Sequence, residues 1–144
     1  MDIKVPPQDI DAEEAVLGSL LIDSNAILKV ADLLRPQDFY SPNHAHIYEA
    51  ILDLYTKNHP SDIINVSGRL KEKNLLQEVG GKSYLAEIIN KIPSSFHVAS
   101  YAERVKEKKI MRDLIEASVE INEAVYKHAG ETEELLDRVE QKIF

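Results

Sequence analysis

The sequence predicts an all-α protein, a small helical bundle (the head) followed by a long helical hairpin. Three observations carry that prediction. Glycine is scarce, with 5 in 144 residues, while leucine, alanine, glutamate and lysine, all strong helix formers, are abundant. No stretch shows the sustained apolar–polar alternation of a half-buried strand. Apolar residues recur instead at helical spacing, in short blocks before residue 95 and in one long block after it.

Pro6 and Pro7 hold the lead segment extended. Asp9 then caps a first helix, with Asp11, Glu13 and Glu14 in the first turn, where the helix dipole favours acids. Ile10, Val16, Leu17, Leu20 and Leu21 give this helix one apolar stripe. Gly18 inside it costs about 1 kcal/mol against alanine, which points to another helix crossing closely there. Ser24-Asn25 opens a second helix running through Ile27, Leu28, Val30, Leu33 and Leu34 until Pro36 ends it. "PQDFY" is then a single turn that buries Phe39.

Ser41-Pro42 is a hydroxyl cap followed by proline at the first helical position. Ile47, Ile51, Leu52, Leu54 and Tyr55 mark the inner face of the helix it starts. Asp62 caps the next, with Ile63, Val66 and Leu70 inward. After the Gly80-Gly81 turn, Ser83 caps another, which buries Tyr84, Leu85, Ile88, Ile89 and Ile92.

"IPSS", residues 92–95, divides a head of residues 1–95 from a hairpin of residues 96–144. Neither glycine nor proline interrupts the chain from Phe96 to about His128; Gly130 breaks the helix, and Thr132 caps a last one. Ile110, Leu114, Ala117, Ile121 and Ala124 follow the 4-3-4-3 spacing of a coiled seam. Leu135 and Val139 answer them on the last helix. That helix is too short to cover the long one, and the uncovered seam predicts pairing with a second copy of the chain.

Composition excludes several functions. Without cysteine there is no disulfide, thiolate metal site or cysteine nucleophile. No apolar run is long enough to span a membrane, so a cytoplasmic location is expected. The net charge of −8 argues against this chain gripping nucleic acid alone, since phosphate neutralisation needs a basic face. "GGKS", residues 80–83, resembles the end of a phosphate-binding loop, but Leu76 stands where the first glycine is required and the preceding segment is not strand-like. It reads as a glycine turn. His44 and His46 lie about 200° apart on a helix and cannot share a metal; all five histidines read as surface or boundary residues. Acidic pairs such as Glu13-Glu14 and Glu133-Glu134 are explained by helix capping and dipole, leaving no catalytic cluster.

One stretch carries a resemblance. "PPQDIDAEEAVLGSLLID", residues 6–23, resembles the start of the bacterial replicative DNA helicases, the DnaB family. The resemblance continues through "DFY", "HAHIYEAI", "VGGKSYLAEI", "YAERVKEKKIMRDLI" and "LLDRVEQKIF", in that order. It implies a non-catalytic N-terminal domain, with ATP and magnesium belonging to a motor domain that lies outside this chain. It further implies hairpins paired as dimers, three dimers forming the collar of a hexameric ring, and docking of the helicase-binding domain of primase. Single-stranded DNA would be engaged only through the complete hexamer. Carried over for primase contact are Tyr84, Ile115 and Ile121. The rival reading is a free-standing adaptor of the same fold, without a motor.

Overall fold

Ten consecutive residues of the first helix, Ala12 to Leu21, are buried. The computed structural model describes residues 4–143, and every regular element in it is helical. Helix α1 (Ile10–Ile22) is therefore enclosed rather than striped, as expected of a helix apolar all round. Asp9 caps it by accepting from the Ala12 amide at 2.9 Å. The close crossing expected at Gly18 is present: a Cβ there would lie 2.6 Å from Ile92 Cγ1 and 3.1 Å from the Ile88 carbonyl oxygen.

Around α1 pack α2 (Pro42–Thr56), α3 (Ile63–Glu72), α4 (Gly81–Asn90) and the start of α5 (Val98–Lys127). Ser41 and Asp62 cap α2 and α3 as read from the sequence. Two expectations need correction. Residues 24–34 form a 3-10 helix, Ser24–Lys29, followed by turns rather than a second α-helix. Asp23 caps this segment, and tight turns bring Ile27, Val30 and Leu34 inward together. Ser83 is not the cap of α4; Gly80 is, and the Ser83 hydroxyl donates back to the Gly80 carbonyl. A short 3-10 turn, Pro36–Asp38, delivers Phe39 into the core beside Tyr48. Tyr48 is fully buried with its hydroxyl on the Leu34 carbonyl at 2.9 Å.

The chain forms two compact units, one of residues 8–108, the other built from the lead segment and the residues after Lys108. The first extends beyond the 95/96 division because Val98, Ala102 and Val105 bury their side chains in the head core. In the second unit the end of α5 and α6 (Thr132–Ile143) are joined across their turn by polar contacts. His128 Nε2 lies 2.7 Å from the Glu131 carbonyl oxygen, Arg138 Nη2 2.8 Å from His128 Nδ1, and Lys142 bonds Glu120 at 3.3 Å. No residue of helix α6 is fully buried.

Candidate functional site

The head contains a polar network that α1, α2 and α4 assemble around Tyr84. Glu13, 1% exposed, accepts from the Tyr40 amide at 2.7 Å and the Ser41 amide at 3.3 Å. Its Oε1 stands 2.8 Å from His44 Nδ1. His44 is 2% exposed, and its Nε2 lies 2.6 Å from the Tyr84 hydroxyl, with the two ring planes only 6° from parallel. Tyr84 also bonds Glu14 at 3.1 Å, and both Glu14 oxygens accept from Lys91 at 3.2 Å. Burial first, and then the Glu14 carboxylate, push the Tyr84 phenol far above the ordinary tyrosine range, so it keeps its proton.

The network corrects two sequence readings. His44 is not a surface or boundary residue, and Glu13 and Glu14 do more than complement the dipole of α1. The signal was present in the pattern: a helix apolar on every face encloses its acids, and enclosed acids need partners.

Gly80 and Gly81, at φ +110° and +74°, turn the chain into α4 through left-handed backbone. They follow a turn after α3, and Lys82 is exposed.

Within the second unit, Ala117, Ile121, Ala124, Leu135 and Val139 are partly covered, whereas Ile110 and Leu114 are 49% and 60% exposed. Ile115 is exposed and lies in a row the sequence reading missed: Met111, Ile115 and Val119, spaced by four and all exposed. The signal was the spacing itself, overlooked because the seam accounted for its neighbours. Tyr84 belongs to the first unit, Ile115 and Ile121 to the second.

A family model described as the DnaB-like helicase N-terminal domain matches residues 5–107. The chain belongs to this family. It is 39% identical over 140 residues to the replicative DNA helicase DnaC of Bacillus subtilis (strain 168), covering 97% of this chain and 31% of that relative. It is 38% identical over 141 residues to the replicative DNA helicase DnaB of Mycobacterium leprae (strain TN), covering 96% of this chain and 23% of the relative. The chain thus spans less than a third of the length of these curated relatives. Among solved structures, the N-terminal domain of DnaB helicase from Mycobacterium tuberculosis matches with a TM-score of 0.88 at 40% identity, covering 96% of this chain and 98% of that one. A DnaB-like replicative helicase, described with its interactions with primase, matches with a TM-score of 0.78 at 27% identity. That match covers 94% of this chain and 31% of the other.

Proposed function

We propose that this chain is the non-catalytic assembly and docking domain of a hexameric replicative DNA helicase. The observation that carries the proposal is the apolar surface of the hairpin unit. Ile110, Met111, Leu114, Ile115 and Val119 stand about half exposed along α5, and no residue of α6 is fully buried. Rows of large apolar residues left in water are characteristic of surfaces that associate. The seam Ile110, Leu114, Ala117, Ile121, Ala124, Leu135 and Val139 serves pairing with a second copy, and three such pairs form the collar of the ring. ATP hydrolysis and single-stranded DNA engagement belong to the complete helicase, and the head and hairpin of this chain serve assembly rather than chemistry.

The neighbouring row, centred on Ile115, serves the helicase-binding domain of primase, with Ile121 at its border. Support comes from the family, from the solved relative described with primase, and from the position of Ile115 beside the seam rather than in it. Tyr84 contributes by holding α4 in place, because its hydroxyl is engaged inside the head. Docking surfaces of this kind depend on a few apolar anchors. Titration calorimetry with the cognate primase domain tests the assignment. Ile115→Ala is expected to weaken binding by about 1 kcal/mol, roughly five-fold, with helicity and solution mass unchanged. Unchanged affinity removes Ile115 from the site.

A further inference from the structure

The contacts around His44 constrain where its protons are. Tyr84 has one hydroxyl proton and two polar neighbours, His44 Nε2 at 2.6 Å and Glu14 Oε2 at 3.1 Å. Both Glu14 oxygens accept from Lys91, so without a hydrogen between them the Glu14 oxygen and the phenol oxygen would face each other with lone pairs alone. The Tyr84 proton therefore goes to Glu14. The short contact to Nε2 then needs a hydrogen of its own, and only the imidazole can supply it. At the other edge of the ring, the 2.8 Å contact between Nδ1 and Glu13 Oε1 also needs one hydrogen.

We propose that the Glu13–His44 pair holds one proton more than an ionised glutamate beside a neutral histidine, and that the resulting Nε2–H makes His44 the positioning residue for Tyr84 and α4. The extra proton balances charge. With it the Glu13–His44 pair is neutral as a unit and Glu14 is matched by Lys91, so the buried cluster holds no uncompensated charge. Further groups act in the same direction. Beyond Glu14, the Glu87 carboxylate of α4 helps both Tyr84 and Lys91 keep their protons, and Asp11 of α1 does so for Lys91. Without that proton, Tyr84 must turn its own hydrogen to Nε2 and release Glu14, which weakens the tie between α4 and α1.

The test uses the unaltered protein with 15N-labelled histidine. At neutral pH the His44 ring is expected to show a one-bond N–H coupling at Nε2, with assignment from the ring signals that move in Tyr84→Phe. A bare Nε2 in the unaltered protein overturns the proposal, and this measurement stands even if Tyr84→Phe does not fold. Amide exchange supplies the positioning readout. In His44→Ala, Leu85 and Ile88 of α4 should lose protection relative to Val66 and Leu70 of α3. An Nε2–H with no such relative loss shows that His44 does not position α4.

Discussion

Gly18 shows how the identity of a single residue can report a tertiary contact. Glycine in a helix interior is unfavourable by itself, and the reason it is tolerated here is Ile92 and Ile88 of the facing segment. Gly18→Ala should therefore destabilise the head despite alanine's better helix propensity. The added Cβ meets Ile92 Cγ1 at 2.6 Å and the Ile88 backbone oxygen at 3.1 Å, and overpacking of this kind costs about 1–3 kcal/mol. Recovery of about 1 kcal/mol from propensity offsets only part of this, because one of the close neighbours is backbone and cannot swing aside, and leaves a net loss of up to about 2 kcal/mol. A urea titration should show a lower midpoint with an unchanged slope; an unchanged or higher midpoint shows that α4 yields freely. His44 is the counterexample at the same scale. Its neighbours in sequence are polar or small, and only Glu13 and Tyr84, 31 and 40 residues away, explain its burial. Local reading could not supply partners that the fold brings from three helices.

At the scale of elements, capping was legible because it is local. Asp9, Ser41 and Asp62 each accept from an amide three residues on. Residues 24–34 were not, since their apolar spacing suits a helix and only the packed core selects 3-10 turns there. The α2–α3 contact illustrates what holds two elements together. Desolvation acts to raise the Asp53 carboxyl, but hydrogen bonds from Arg69 at 3.0 Å and Lys73 at 3.2 Å prevail and hold it below the ordinary aspartate range. A depressed folded-state value means that the contribution is present above the unfolded value, about 3.9, and fades as pH falls through the folded one. Because the pair is partly solvated, Asp53→Asn is expected to cost only about 0.5–1 kcal/mol at pH 7. The difference between the two proteins should shrink below about pH 4. Paired denaturation curves at several pH values check this; a difference independent of pH would mean the carboxylate charge is not what joins the helices.

At the scale of the whole molecule, the all-helical class and the presence of a hairpin were readable from composition and period. The extent of the first compact unit was not, because α5 carries no break where its inward residues Val98, Ala102 and Val105 give way to exposed ones. This continuity bears on how assembly can be tested. A substitution in the hairpin seam lies outside residues 8–108 and should leave the head core intact. Ala117 is suited to the purpose: it is small, partly covered, and flanked in the seam by Leu114 and Ile121. If two copies pair along this seam, Ala117→Glu places a carboxylate in an apolar interface, at a cost of several kcal/mol, and a two-fold arrangement meets that cost twice. Sedimentation should then show the dimer of the parent chain reduced to monomer, with the near-ultraviolet signal of the head tyrosines retained. A variant that remains dimeric with the parent's affinity would move the interface elsewhere on the hairpin, with the row of Met111, Ile115 and Val119 as the next surface to alter.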